Sequence, residues 1–404
     1  MELNLIGNNR RQKTFFAILI PALMFAALHK WSTLVRLGLQ LILLAYVVYR
    51  KRGEILKSII KMPLLPATVY ILIVLLLIPL STNVKESAQS WVRLVEMFVI
   101  GISIYHLCDT GTRLNTMLFY LLIAFGMAYI MDIDWYLRHL GARWKWGEIW
   151  DNPLNFDHHN TYSAICVMLL PVAVTILLNV KNIYIRLVTF IFILLNLFLL
   201  YIFQSRTAQI SIVFILFVTG FLLSTMKRKI IYLILMVAIV GVLVINIRFI
   251  NPRWLDNKVK TAFGRTENWE NTFSLIKKRP IYGYGYGRNI FRNIYLEKFG
   301  RQNFDGILIK VAHAHNSYFD VLFSNGIIGF VAFLSLSITA FFISFREIIR
   351  RNSDWLIARA VFLSLAGAYF YFLADVYDGV QWGLTWVFLA IAMSFWKPKN
   401  NPVK

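Results

Sequence analysis

The sequence predicts an all-α, polytopic membrane protein of about twelve transmembrane helices with one large loop on the outer side. Three observations lead there. Hydrophobic residues make up 58% of the 404 positions and charged residues only 15%, against about 25% in a soluble domain. Mean hydropathy is +0.62. The apolar residues form continuous runs long enough to cross a bilayer, not the alternating segments of about ten residues that a β-barrel would show. A soluble enzyme of one or two globular domains is excluded. The net charge of +22 would suggest nucleic acid in a soluble protein. Here the charges lie mostly between apolar runs, which points to lipid headgroups or an anionic substrate and to no nucleic-acid partner.

The runs fall at 14–29, 33–49, 62–80, 92–108, 114–131, 159–180, 184–203, 207–225, 229–247, 326–345, 355–374 and 381–396. Helices are required, because a lone lipid-facing strand leaves its backbone polar groups unpaired. The first run follows Arg10, Arg11 and Lys13 and has the flanks of a signal peptide, but more spans follow it, so it reads as a retained anchor. Cys108 and Cys166 fall at opposite ends of their spans and are not expected to pair.

Orientation follows from the short connections. With the N-terminus cytoplasmic, inside segments such as Arg50–Lys61 and Arg346–Arg351 collect twenty Lys and Arg, and the short outside segments only six. Both termini then face the cytoplasm. The chain divides into 1–247 (nine spans), 248–325 (the large outer loop) and 326–404 (three spans and a tail). Residues 248–316 hold 13 Lys or Arg and 5 Asp or Glu. Long translocated loops escape the positive-inside rule, so the excess is either a headgroup-facing surface or a site for an anionic ligand.

The most specific stretch is Val311-Ala312-His313-Ala314-His315-Asn316-Ser317, running on to Asn325-Gly326-Ile327-Ile328-Gly329. Imidazole exchanges protons near neutral pH, so His315, with His313 beside it, is the candidate acid–base group. As metal ligands the pair lacks a nearby acidic or cysteine partner, and a histidine pair capping an interfacial helix is the plainer reading. Gln204-Ser205-Arg206-Thr207 makes a very short outer link that holds Arg206 close to hydrocarbon, where it either grips an anion or snorkels to headgroups. Gly264-Arg265 leads to Trp269, and Arg279-Pro280-Ile281-Tyr282-Gly283-Tyr284-Gly285-Tyr286-Gly287-Arg288 follows. Its glycines suit a tight, close-packed turn; no strand–helix unit surrounds them to make a dinucleotide site. Asp132-Ile133-Asp134 has the spacing of a metal–diphosphate motif but is short. Four tryptophans (Trp135, Trp144, Trp146, Trp150) mark the smaller outer loop, Asp157-His158-His159-Asn160 opens the sixth span, and Asp375 and Asp378 make the last outer loop acidic at headgroup level.

Taken together, His315-Asn316 with Leu322 and Gly326-x-x-Gly329, Arg265-x-x-x-Trp269, Pro280-x-x-Gly283-x-Gly285, Ser205-Arg206-Thr207 and Asn155-Phe156-Asp157-His158-His159-Asn160 resemble the signature of the O-antigen ligase and polymerase superfamily. The resemblance covers about 150–330. It departs from the family where Phe156-Asp157-His158 stands in place of the commoner Asn-Pro-Asn.

The resemblance implies a GT-C-like glycosyltransferase of the Gram-negative inner membrane, with its site on the periplasmic face. It would take an undecaprenyl-diphosphate-linked O-antigen as donor and lipid A-core as acceptor, in lipopolysaccharide biosynthesis, with no cofactor. His315 would be catalytic. Arg206 and Arg265, then Arg279 and Arg288, would bind the diphosphate and stabilise its departure without a metal. His313, Asn316 and Trp269 are secondary candidates. Length, span count and the single large loop fit the ligase better than the polymerase. A flippase would place charges deep in several spans; few charged side chains, among them Arg36, Arg93 and Arg359, fall within span limits, and most lie near span ends.

Overall fold

The computed structural model describes residues 33–51, 53–107, 111–140, 159–203, 205–222, 225–245, 260–304, 307–309, 311–375 and 379–396. Numbered over these residues, the helices are α1 (Thr33–Lys51), α2 (Ile55–Ile59), α3 (Leu65–Leu77), α4 (Val84–Leu107), α5 (Gly111–Leu140), α6 (His159–Asn179), α7 (Ile183–Phe203), α8 (Arg206–Phe221), α9 (Met226–Ile245), α10 (Lys260–Lys278), α11 (Arg288–Phe299), α12 (Ser317–Arg350), α13 (Trp355–Tyr371) and α14 (Gly379–Ser394). The expected all-helical architecture holds, with one addition. Strands β1 (Gln302–Phe304) and β2 (Ile307–Ile309) pair antiparallel, Asn303 opposite Leu308.

Among the described residues, five helices are long and apolar enough to cross a bilayer: α4, α6, α7, α12 and the 114–131 stretch of α5. Shorter apolar helices cover 40–49, 65–80, 206–221, 355–371 and 381–394. The run at 14–29 and Cys108 lie outside the described residues. So do Trp144, Trp146, Trp150, Asp157, His158 and Asp378, together with the side chains of Arg36, Asp132, Asp134, Trp135 and His159.

Two helices start earlier than their apolar windows. α4 begins at Val84, where the polar Lys85–Ser90 turns continue the helix, and α12 begins at Ser317 because Asn316 caps it. Gly326 then breaks α12, with φ 59° inside an otherwise helical run. The expected start at 326 is the break, not the beginning.

The core explains the order of packing. α13 lies against α6, α8, α12 and α14, and nearly all of its residues from Leu356 to Tyr371 are buried. α12 packs on α3 as well, and α14 on α4. α7 is the opposite case: its Leu187, Phe190, Ile191, Leu194, Leu197 and Phe198 are all exposed. An uncovered apolar face of this extent suits acyl chains and not water.

The polar region between α9 and α12 has a small core of its own. Leu275 and Ile276 of α10, Tyr284, Ile290, Phe291 and Tyr295 of α11, Val311 and Ala314 close on Phe323 of α12. Before Gly326, Phe319, Leu322 and Phe323 face this second core, while Tyr318 and Val321 pack with the rest of α12 in the helical bundle.

Candidate functional site

The site begins with the turn into α12. His315 has φ 52°, in the left-handed region where a histidine is uncommon and a backbone is strained by about 1–3 kcal/mol. Its neighbours hold it there. Asn316 caps α12, its side-chain oxygen accepting from the Tyr318 and Phe319 N–H groups at 3.0 and 3.1 Å. The other end of the same amide donates to the Leu373 carbonyl at 3.0 Å. Ser317 donates through its N–H to the Phe372 carbonyl and through its hydroxyl to the Asp375 carbonyl, both at 2.9 Å. The turn after α13 is thus stitched to the start of α12.

α10 fixes the other side of the turn. Asn268 donates to the His313 carbonyl at 3.0 Å, and the Trp269 indole N–H to the His315 carbonyl at 3.4 Å. The two imidazoles meet edge-to-face with centroids 4.2 Å apart.

These constraints bring His315 to Asp375. His315 Nδ1 lies 3.7 Å from Asp375 Oδ1, and Asp375 is only 5% exposed. Burial by itself would raise the Asp375 carboxyl. The adjacent His315 imidazole, then the charges of His313 and Arg265, more than reverse this and hold it below the usual carboxylate range. Arg265 at the start of α10 is therefore part of the same electrostatic unit. Ser205, Arg265 and Asp375 also act on the Tyr371 hydroxyl, which donates to the Asn160 carbonyl at 2.9 Å. Ser205 caps α8 and donates to Asn160 Oδ1 at 3.5 Å, which sets its neighbour Arg206 at this end of the bundle.

Of the residues expected from sequence, His313, His315, Asn316, Trp269 and Arg265 converge here, and Arg206 stands beside Ser205. Asn316 and Trp269 work through backbone contacts that shape the turn. Arg279 stacks over Tyr284 at 5.2 Å, and Arg288 opens α11, next to Asn289, whose N–H donates to Glu86 at 2.7 Å.

The glycine motifs prove architectural. Tyr284 N–H donates to the Phe323 carbonyl and Gly285 N–H to the Ser324 carbonyl, while Ile327 N–H donates to the Pro280 carbonyl, at 2.8, 2.9 and 2.8 Å. Gly283 and Gly326 both have positive φ, and a Cβ on either would meet the backbone of the other's segment. The tight loop thus satisfies the groups that the break in α12 leaves unpaired, and so sets the angle at which His315 approaches the bundle.

One expectation is corrected. The histidine pair does have an acidic partner: Asp375, remote in sequence, completes a group with His313 and His315 whose ligand atoms lie within 4.8 Å of one another. By geometry these three residues could hold a divalent ion. The cationic Arg265 acting on the same carboxylate opposes one. Asp375 had a headgroup-level reading from sequence. The signal that singles it out is burial at a span end, which hydropathy does not report. Chemically, the arrangement offers an imidazole backed by an ionised carboxylate, with a guanidinium for an anion alongside.

No curated protein matches the chain. Residues 190–334, a little over a third of the chain, match the family model described as O-Antigen ligase. The matched stretch contains Arg206, Arg265 and His315, while Asp375 lies beyond it. The match makes this stretch similar to the O-antigen ligase family, in line with the resemblance carried by its motifs.

Proposed function

We propose that the protein is an O-antigen ligase, transferring a polysaccharide from undecaprenyl diphosphate to lipid A-core at the periplasmic face of the inner membrane. The observation that carries this is the strained His315 held against buried Asp375 with Arg265 in electrostatic reach. In this reading Asp375 orients the imidazole through Nδ1, leaving the other ring nitrogen to take a proton from the acceptor hydroxyl. That oxygen attacks the anomeric carbon. The bond to the lipid diphosphate breaks, and the negative charge gathering on the leaving diphosphate falls to Arg265 and Arg206. Proton and charge are both handled by side chains, so the reaction is proposed to need no metal. Both termini are placed in the cytoplasm, with 248–325 as the periplasmic loop between spans nine and ten.

The matched family covers polymerases too, and O-antigen polymerase is the second reading. Lipopolysaccharide from a deletion strain separates the two. Loss of a ligase leaves bare core while lipid-linked polymer accumulates. Loss of a polymerase leaves core carrying one repeat unit. An unchanged lipopolysaccharide profile would sink both.

A further inference from the structure

Arg265, Trp269, Phe273 and Lys277 recur every four residues along α10, so each neighbours the next across one helical turn. The row starts at the site, where Arg265 acts on Asp375 and Trp269 reaches the His315 carbonyl. It then leads away. Phe319 bridges the two aromatic members, with ring centroids 6.3 Å from Trp269 and 6.4 Å from Phe273. Lys277 Nζ closes the row 4.7 Å over the Phe273 ring. The small core uses another side of α10, through Asn268, Thr272, Leu275 and Ile276. Phe273 is left 46% exposed, and Trp269 and Phe319 are half-buried.

We propose that this row is a binding track for a glycan bearing an acidic substituent, a phosphate or a carboxylate. The proposal rests on the glycosyl-transfer reading and names a feature of its substrate. Aromatic faces take the C–H faces of sugar rings, and they lose little conformational entropy in doing so. Cations about 18 Å apart along the helix, Arg265 and Lys277, bracket the aromatics. An anionic group reaching Lys277 draws the sugar before it across Phe273 toward His315. Exposed Glu270, on the flank of the row, offers an acceptor for sugar hydroxyls. A purely apolar anchor would not need a cation at each end, and a phosphate site alone would not need the exposed ring between them.

The test is calorimetric binding by the full chain in neutral phosphatidylcholine nanodiscs. The probes are a phosphorylated oligosaccharide and the same oligosaccharide after phosphatase treatment. The phosphorylated form should bind on the order of tenfold more tightly. Lys277→Gln should erase that difference, and Phe273→Ala should weaken both forms roughly five- to tenfold. Phe273→Leu keeps the bulk without the aromatic face and serves if the alanine variant unfolds. In a transfer assay the same variants should raise KM, for donor or for acceptor, more than they lower kcat. Unaltered binding of both oligosaccharides by both variants overturns the track. So does a loss confined to retention on anionic phosphatidylglycerol vesicles, which makes the row a lipid-headgroup anchor. Binding is read without turnover, so failure of the track and failure of the transfer reading are told apart.

Discussion

His315 Nδ1 and Asp375 Oδ1 stand 3.7 Å apart across 60 residues of sequence, one on a strained turn and the other buried. The separation is longer than a hydrogen bond. Resting acid–base pairs are often loose in this way and tighten with substrate bound.

His315→Ala should reduce transfer by roughly 10²–10⁴, the scale of acid–base assistance. His313→Ala should do less. The readout is capped lipopolysaccharide at matched membrane levels. A dead His313→Ala beside an active His315→Ala would reverse the assignment.

Asp375→Asn should lower transfer by a similar factor while leaving the protein inserted. Its effect on stability has a defined pH window. The folded carboxyl is held below the usual range, so its stabilisation is complete above about pH 4 and is lost as pH falls toward the depressed folded value. The gap in melting temperature between wild type and Asp375→Asn should stay constant from neutral pH to about pH 5 and narrow below about pH 4. A gap that closes between pH 7 and 5 would mean that another group sets it.

Arg206→Ala and Arg265→Ala should each cost about 2–4 kcal/mol of transition-state stabilisation, measured as kcat/KM. Lysine at either position keeps the charge, loses the fork and should still impair transfer. Arg279→Ala and Arg288→Ala should cost clearly less, since Arg279 stacks on Tyr284 and Arg288 opens α11. Equal losses at all four would show that bulk positive charge, not placement, is what counts.

Transfer by the purified protein should survive EDTA. Loss of turnover with chelator and recovery with a divalent ion would instead make His313, His315 and Asp375 the ligand set.

Gly326→Ala should destabilise the protein by about 1–3 kcal/mol, read by thermal unfolding in detergent, because its φ is positive and its Cβ would meet the Ile281–Tyr282 backbone. Gly300→Ala, also at positive φ but in open space, separates the two costs: it carries the backbone strain without the collision.

Hydropathy located the helices because burial in lipid and burial in protein both demand apolar runs, and the two agree for 114–131 and 355–371. It misplaced the start of α12, because a cap and a polar first turn carry no hydropathic signal. Local patterns found His315, Arg265 and Trp269, which lie on α10 and the turn it steadies. Asp375 carries only a headgroup-level signal in the sequence. Its role comes from tertiary packing that joins α13 to α12, and no spacing along the chain encodes that. Arg279 and Arg288 lie on a loop that the glycines use as a brace against α12.

The hydrogen bonds from Asn316 and Ser317 to the carbonyls of Leu373, Phe372 and Asp375 have a consequence for biosynthesis. A ribosome that has made His315 and both arginines has not yet made the segment that holds the histidine in place. In the proposed transferase reading, the site is complete only late in translation, after α13 and its trailing turn have been made. A nascent chain stalled before that point carries His315 without the clamp that holds its turn, and under the proposed function it should be inert.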